Sequence, residues 1–276
     1  MNTKNHPLMS QLSIISKISQ TQIEKLILEV MNITDEQTQQ YKDYQNGGWD
    51  TLTLMGATKD PYDTSIRDCT PVATSLLSKM HFTKTFLESL NLDYMWVRVA
   101  KLNSKAFLWE HVDYTELNKE KHIRLHVPLF TNINARIVLP NNDVFMSKGY
   151  IWKLIPTERH AVYNNGNTSR IHLIIDCYDS PEIRKLIKSE ELPFNVVNKL
   201  PLIDKKEINN KIERAKEIYE LGYKTAAENS LLKIFHFFST YKGQSYDAVI
   251  HMYDKLKEKE ESKRWKEKKK MILGLD

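Results

Sequence analysis

Short runs of alternating apolar and polar residues fill the middle of the chain, whereas both ends show helical spacing. From Tyr94 to Asp176 the runs are separated by clusters of Asn, Asp, Ser and Gly, which are typical of turns. About seven short strands with polar turns, preceded by helices, indicate an antiparallel β-sandwich or jelly roll with a helical layer outside. The interior of such a fold can hold a metal ion and a small ligand.

The N-terminal part of the chain predicts two helices on either side of one strand. Thr21 is a candidate N-cap for the first helix, because Glu24 follows three residues later, as in a capping box. Residues 49–54 alternate apolar and polar side chains and predict a strand. Residues 71–90 carry apolar side chains at helical spacing and predict the second helix.

A long loop is predicted at residues 56–70, between that strand and the second helix. Binding groups often sit on long ordered loops that a rigid scaffold holds in place. Arg67 and Asp68 are therefore candidate substrate contacts. Adjacent Arg and Asp residues in a loop also commonly form a surface ion pair, and that alternative stays open.

The chain after residue 180 predicts a connector and then helices. Three prolines mark residues 181–202 as the connector. We therefore expect a jelly-roll domain with N-terminal helices over residues 1–180 and a helical region with a basic tail over residues 203–276.

Three helices are predicted in this C-terminal region. The first follows the candidate cap Asp204 and ends at Tyr219, the second covers residues 225–241, and the third begins near Ser245 and fades into the charged tail. Their apolar faces need partners. They cap the barrel, close over a site, or form a homodimer contact, and all three alternatives stay open.

Candidate metal chemistry begins at His111-Val112-Asp113. Two residues separated by one position point to the same face of a strand. His160 follows at the edge of another predicted strand, and Arg170 opens the next one. Two histidines and one carboxylate match the facial triad of non-haem Fe(II) sites, and a guanidinium can clamp a carboxylate through two hydrogen bonds. A lone His-x-Asp pair is common by chance, so the order of the whole set carries the prediction.

Residues 95–176 resemble the aspartyl/asparaginyl β-hydroxylase family of Fe(II)/2-oxoglutarate-dependent dioxygenases, which includes the bacterial free L-proline cis-hydroxylases. The resemblance thins towards the N-terminus and ends at about residue 185. The motifs that carry it are Val97–Leu102, His111–Asp113, Ile123–Leu129, Gly149–Trp152, His160–Asn164 and Ser169–Asp176. The fold that it implies is a β-rich α+β structure: a double-stranded β-helix of the jelly-roll, cupin-like kind with flanking helices and a helical C-terminal extension.

The resemblance also implies site residues. His111, Asp113 and His160 would ligate Fe(II), and the presence of Asp113 argues against a halogenase, whose chloride needs that position. Arg170 would bind the distal carboxylate of the cosubstrate 2-oxoglutarate. Further residues are expected around the pocket: Arg124 and His126 would help to seat the cosubstrate, while Arg98, Arg67, Trp152, Asn164 and Trp109 are candidate substrate contacts or pocket walls.

Cysteine spacing, hydropathy and charge indicate the cellular compartment and the class of partner. The cysteines, Cys69 and Cys177, show no paired spacing, and no apolar run reaches the length of a membrane span. With no signal-peptide pattern at the N-terminus, we expect a cytoplasmic protein. The formal charge of +5 comes from residues 255–270, which carry nine Lys or Arg and four Asp or Glu. The absence of a nucleic-acid motif disfavours a nucleic-acid partner and favours a solvated helix there.

The activity implied by the resemblance is hydroxylation of an unactivated C–H bond, with 2-oxoglutarate and O2 converted to succinate and CO2. We expect a free L-amino acid, proline-like, as the substrate, because the chain shows no peptide-binding repeat. One alternative is hydroxylation of an aspartyl, asparaginyl or other residue in a peptide or carrier-bound substrate. Another is a non-catalytic cupin-like binding module whose basic tail recruits an anionic partner.

Overall fold

Two antiparallel β-sheets form the centre of the computed structural model, which describes residues 7–34, 38–114, 117 and 122–275. The strands are β1 (Leu12–Lys17), β2 (Thr38–Gln39), β3 (Trp49–Gly56), β4 (Val72–Ala73), β5 (Tyr94–Leu102), β6 (Phe107–His111), β7 (His122–Phe130), β8 (Ala135–Leu139), β9 (Asn142–Val144), β10 (Tyr150–Leu154), β11 (His160–Asn164), β12 (Arg170–Tyr178) and β13 (Val197–Lys199).

Strand order defines a larger and a smaller sheet. The larger sheet runs β1-β10-β7-β12-β5-β3-β2, with β4 paired to β3, and the smaller sheet runs β13-β9-β8-β11-β6. Every pairing between these strands is antiparallel. In the part of the chain that the structure describes, β6 is thus an edge strand of the smaller sheet.

An apolar core lies between the sheets. Trp152 and Ile174 of the larger sheet share one buried cluster with Leu108, Ile137 and Val162 of the smaller sheet. The outer face of the larger sheet is covered by α1 (Gln20–Met31) and α2 (His81–Leu90), which share a second cluster with its strands. The predicted β-rich jelly-roll core with flanking helices is confirmed.

The N-cap of α1 is Ser19, so the predicted cap Thr21 is wrong. The Ser19 hydroxyl accepts the Gln22 backbone N–H at 3.3 Å, and the Gln22 side chain accepts the Ser19 N–H at 3.2 Å. This reciprocal pair satisfies two backbone donors at the start of the helix. Glu24, predicted as the capping partner, instead accepts a hydrogen bond from Gln20 on the helix surface.

Only the second half of the predicted helix over residues 71–90 is α-helical. The first half holds β4 and a short 3-10 helix over Leu77–Lys79. Thr74 donates its hydroxyl to the carbonyls of Thr53 and Leu54, at 3.0 and 3.1 Å, and its N–H to Leu54 at 2.9 Å. These long-range bonds hold the segment against β3, so tertiary contacts override the apolar spacing.

The C-terminal part of the chain packs against the smaller sheet. Its helices are α3 (Pro181–Ile187), α4 (Lys205–Glu220), α5 (Lys224–Leu232), α6 (Ile234–Phe237), α7 (Gln244–Leu256) and α8 (Lys259–Leu273). Phe107, Trp109 and Tyr163 of the smaller sheet share a buried cluster with α4 to α8. Ile183 of α3 instead lies in the cluster of the larger sheet. The predicted cap Asp204 accepts the Glu207 N–H at 2.7 Å.

Two predictions for this region need correction. The helix expected over residues 225–241 is interrupted at Lys233, and Phe238 is already extended. The basic tail does not fade into solvent, because α8 buries Trp265 and continues to a left-handed cap at Gly274. The predicted domain boundaries stay a prediction. Among the helices of the described residues, none combines the length and the apolar character that crossing a membrane requires.

Candidate metal centre and cosubstrate pocket

The predicted metal ligands meet where β6 and β11 pair. His111 closes β6, Asp113 follows it, and the register places His160 of β11 directly opposite His111. The next pair is Val162 with Leu108, so β6 carries one extra residue between the two pairs. A bulge of this kind redirects side chains. It allows both Leu108 and His111, three positions apart, to line one cavity.

The three side chains offer ligand atoms on one side. One nitrogen or oxygen atom from each of His111, Asp113 and His160 lies within 4.8 Å of the others, and all three residues are buried. Nε2 of His111 lies 3.8 Å from Oδ1 of Asp113, and Nε2 of His160 lies 3.6 Å from Oδ2. This donor set and its spacing fit a non-haem Fe(II) ion bound by a facial triad.

Backbone carbonyls fix the tautomer of both histidines. Nδ1 of His111 donates to the Trp109 carbonyl at 2.7 Å, and Nδ1 of His160 donates to the Glu158 carbonyl at 2.9 Å. Because a carbonyl oxygen only accepts, the proton of each neutral ring is on Nδ1. Each Nε2 therefore keeps the lone pair that a metal ion needs.

Electrostatics keep the triad in its metal-binding protonation state. Burial lowers the pKa of His111, and burial together with His111 lowers the pKa of His160 to about 3. Burial opposes ionisation of Asp113, but Arg124 and the two histidines outweigh it and hold the pKa of this carboxyl below its usual range. Two neutral imidazoles and one carboxylate are thus present at neutral pH.

Asp113 belongs to a hydrogen-bonded network of buried charged side chains. Arg124 donates Nη1 to Asp113, Nε to Asp176 at 2.7 Å and Nη2 to the Tyr114 hydroxyl at 2.9 Å. Arg98 donates to the other oxygen of Asp176. Two guanidinium groups and two carboxylates alternate, so each buried charge has a partner of opposite sign. Arg124, predicted to seat the cosubstrate, is thereby also hydrogen-bonded to a predicted metal ligand.

A cavity joins two of the predicted metal ligands to Arg170. His111, His160, Arg124, His126 and Arg170 line it, together with apolar residues of both sheets. The Arg170 side chain is buried, and its Nε and Nη2 atoms have no hydrogen-bond partner among the described residues. Burial without a countercharge lowers the pKa of Arg170 to about 9. An anionic group in the cavity would supply the missing partner.

His126 also lines the cavity. Its Nδ1 lies 3.3 Å from Nδ1 of His172, and the Nε2 atoms of both rings have no partner among the described residues. Burial lowers the pKa of both rings, so each is neutral and carries one proton. One Nδ1 must donate to the other. If His172 donates, His126 carries its own proton on Nε2 and offers a donor to the cavity.

The predicted substrate residues lie outside the set that lines this cavity, as far as the described residues show. Arg98 is fully buried in its pair with Asp176. Trp152 lies in the core between the sheets and donates its Nε1 to the Ser147 carbonyl at 3.1 Å. Asn164 donates to the carbonyls of Leu102 and Thr168 at 3.1 and 2.8 Å. Their roles in substrate binding stay predictions.

Arg67, Asp68 and Trp109 also lie outside the set of residues that lines the cavity. Arg67 is half exposed and pairs with Asp63 at 3.5 Å, not with its neighbour Asp68. Asp68 instead accepts hydrogen bonds from Nε2 of His122 at 2.9 Å and the Tyr178 hydroxyl at 3.1 Å. Trp109 packs with the C-terminal helices on the outer face of the smaller sheet.

Three aromatic residues at the site escaped the sequence analysis. Tyr41 and Trp49 line the cavity, and the Tyr44 ring stacks on His111 with 4.6 Å between centroids. Tyr41 and Tyr44 stack on each other at 5.0 Å. Tyr41 and Tyr44 lie in residues 35–48, a polar stretch rich in Gln that ends in two glycines, which is typical of a loop. The recurrence of aromatic side chains in such a polar stretch was the available signal, because buried aromatic rings contribute a large contact area.

Comparison with known proteins identifies the family. A sequence model described as aspartyl/asparaginyl β-hydroxylase matches residues 17–180, which is more than half of the chain. The chain is 26% identical over 230 residues to the L-proline cis-4-hydroxylase of Rhizobium meliloti (strain 1021), covering 79% of this chain and 77% of that protein. It is 22% identical over 228 residues to the L-proline cis-3-hydroxylase 2 of a Streptomyces species, covering 78% of both.

Among solved structures, the chain is similar to an oxidoreductase of the 2OG-Fe(II) oxygenase family from Burkholderia pseudomallei. The TM-score is 0.41 with 11% identity, over 58% of this chain and 79% of that one. A prolyl-4-hydroxylase from Pseudomonas putida gives a TM-score of 0.39 with 12% identity, over 62% and 94%. The match to the family model alone covers enough of the chain to confirm the predicted family and its hydroxylase class: the chain belongs to the aspartyl/asparaginyl β-hydroxylase family.

Proposed function

We propose that the protein is an Fe(II)- and 2-oxoglutarate-dependent hydroxylase of a free, proline-like L-amino acid. The observation that carries the proposal is one cavity lined by two of the three proposed metal ligands and by Arg170, whose Nε and Nη2 atoms have no partner among the described residues. In this proposal His111, Asp113 and His160 hold the iron. When bound, the metal supplies the redox chemistry by which O2 and 2-oxoglutarate become succinate and CO2 while a C–H bond becomes C–OH.

The chain's own residues then act by binding and orienting. Arg170 pairs with the distal carboxylate of 2-oxoglutarate, and an Nε2 donor on His126 adds a hydrogen bond to a bound anion. Arg124 orients Asp113 through a charge-assisted hydrogen bond. Tyr44, stacked on the His111 ring, and the apolar wall of Leu108, Met146 and Val162 keep water away from the reacting groups.

The substrate class rests on the relatives. Two relatives that align over more than three quarters of this chain bear the name of L-proline cis-hydroxylases, which favours a cyclic amino acid.

The test is turnover with Fe(II), ascorbate, 2-oxoglutarate and a panel of free amino acids, followed by mass spectrometry. We expect succinate and a one-oxygen mass gain on one amino acid, both absent when 2-oxoglutarate is omitted. His160→Ala should abolish both products. His251→Ala is the matched control, because His251 is exposed on α7.

Two outcomes would contradict parts of the proposal. Succinate formation without a mass gain on any free amino acid would move the target to a peptide or carrier-bound residue. Turnover retained in His160→Ala would remove His160 from the metal site.

A further inference from the structure

Backbone groups of β6 that do not pair with β11 accept hydrogen bonds from the C-terminal helices. Nε2 of His236 on α6 donates to the Leu108 carbonyl at 2.7 Å. The Tyr246 hydroxyl on α7 donates to the Glu110 carbonyl at 2.6 Å. Edge strands present backbone groups that need partners. His236 and Tyr246, which lie outside the part of the chain that matches the family, supply two of these partners. Asn46 supplies others at Phe107.

The last turn of α8 reaches the His-x-Asp motif itself. The Val112 N–H, between the two proposed ligands His111 and Asp113, donates to the Ile272 carbonyl at 3.1 Å. Ile272 and Leu273 are buried in the cluster that α8 shares with the smaller sheet. The backbone of the motif is thus held from the side that faces away from β11.

Glu110 connects the same helices to both metal-bearing strands. Its carboxylate is fully buried and accepts Nη1 of Arg159, the neighbour of His160, at 3.0 Å. It also accepts the Gly243 N–H at 3.2 Å, at the start of α7. Arg159 in turn donates to the Thr240 carbonyl at 2.7 Å. One carboxylate therefore joins β6, the start of β11 and the N-terminus of α7.

We infer that α7 and α8 set the positions of the metal ligands, and that Glu110 is a positioning residue that acts through His111 and His160. This inference rests on the proposed function, because it assigns the role of the C-terminal region to the same metal site. Groups that orient ligands typically change metal affinity by about 10- to 100-fold when they are replaced. The C-terminal helices are thus part of the site's architecture.

The test uses the full chain and Co(II) as a non-turnover probe. Co(II) is titrated into the metal-free protein, and its ligand-field spectrum reports the coordination geometry. Glu110→Gln keeps the shape of the side chain but removes the charge that joins the strands. We expect its Co(II) dissociation constant to rise about tenfold or more, with an altered spectrum.

The matched control is Glu29→Gln. Glu29 is a half-buried carboxylate on α1 that accepts the Phe82 and Thr83 backbone N–H groups of α2 at 2.8 and 2.7 Å. It has none of the contacts to β6, β11, α7 or α8 described for Glu110. We expect Glu29→Gln to lower thermal stability while leaving the Co(II) spectrum and affinity unchanged. A general loss of stability would affect both variants alike.

A second variant covers the case in which Glu110→Gln fails to fold. Tyr246→Phe removes one hydroxyl hydrogen bond to β6 and keeps the ring. We expect it to weaken Co(II) binding by about threefold or more. Wild-type affinity and spectrum in every folded variant would overturn the inference. Failure of the wild-type protein to bind Co(II) would instead overturn the proposed metal site.

Discussion

At the residue scale, Arg170 shows how the protein stores binding energy for an anion. An isolated buried cation is costly unless it is paired, and two of the Arg170 nitrogens have no protein partner among the described residues. The Trp49 ring, 5.7 Å from the guanidinium carbon, offers only a weak cation–π contact. A carboxylate that enters the cavity would pair with the guanidinium and offset the free-energy cost of its burial.

Replacing Arg170 should therefore weaken cosubstrate binding. Arg170→Gln should raise the dissociation constant for 2-oxoglutarate by about 10- to 100-fold, since a hydrogen bond to a charged group is worth about 1.5–3 kcal/mol. Anaerobic titration of the Fe(II)-loaded protein measures it. Arg67→Gln is the control, because Arg67 is half exposed and lies outside the cavity lining. Equal affinities in Arg170→Gln and wild type would exclude Arg170 as the carboxylate partner.

The contact between His126 and His172 predicts a difference between two substitutions. Gln places an N–H donor near the position of a histidine Nε2, whereas Leu has none. His126→Gln should thus bind 2-oxoglutarate more tightly than His126→Leu, by about tenfold. The same anaerobic titration compares them. If the two variants bind 2-oxoglutarate with equal affinity, His126 contributes only its shape to the cavity and no hydrogen bond.

The sequence predicted which residues come together where local spacing is sufficient. His111, Asp113 and His160 meet as expected, and Arg170 lines the same cavity as the two histidines, because strand periodicity and order along the chain can be read directly. Their roles stay a prediction. The surroundings of Arg98 could not be found in this way, because its partner Asp176 lies 78 residues away and meets it only through the β5–β12 pairing. Long-range pairing is decided by the whole sheet, and a single local stretch does not contain it.

At the element scale, a helix cap depends on local sequence, yet only one of the two predicted caps is right, because Ser19 and not Thr21 caps α1. Asp204 caps α4 as predicted, because a cap needs only its own first turn. Packing depends on distant partners. Residues 71–80, before α2, are held by β3, and α8 is held by α7. Among the described residues, three of the seven basic residues of α8 form ion pairs within the protein. Examples are Lys269 with Asp247 at 2.8 Å and Arg264 with Glu261 at 2.7 Å.

Burial of α8 predicts its energetic weight. Trp265 is buried, and its Nε1 donates to Glu228 at 2.9 Å. Trp265→Ala should lower the free energy of unfolding by about 3–5 kcal/mol, as other large-to-small core substitutions do. Denaturant unfolding measures it. Met271→Ala on the same helix is the control, because Met271 is exposed and should change stability by no more than about 0.5 kcal/mol. Similar small effects would mean that α8 is only loosely attached.

At the scale of the whole molecule, buried charges join the two sheets. Asp176 lies on β12, directly opposite Arg124 of β7, and Arg98 extends the chain to β5. Asp113, at the end of β6, connects it to the smaller sheet. Such a network is costly to break at one member, because removal of one partner leaves the other charges buried and unpaired.

This network predicts how the stability of the metal-free protein depends on pH. Burial opposes ionisation of Asp176, but Arg124 and Arg98 outweigh it and lower the pKa of the carboxyl in the folded state. The resulting stabilisation is fully present above the pKa of the unfolded chain, about 3.9, and is lost as the pH falls through the folded value. Asp176→Asn should therefore cost about 3 kcal/mol or more at pH 7, and the difference from wild type should shrink below about pH 4.

Denaturant unfolding of metal-free wild type and Asp176→Asn, repeated between pH 7 and pH 3, tests the sign of this effect. Glu88→Gln serves as the control, since Glu88 is an exposed carboxylate on α2, 3.9 Å from Lys84. Its substitution should matter little at either pH. A gap between Asp176→Asn and wild type that stays constant or widens in acid would show that the buried carboxylate does not depend on its two arginines. The charge network would then not join the sheets as described.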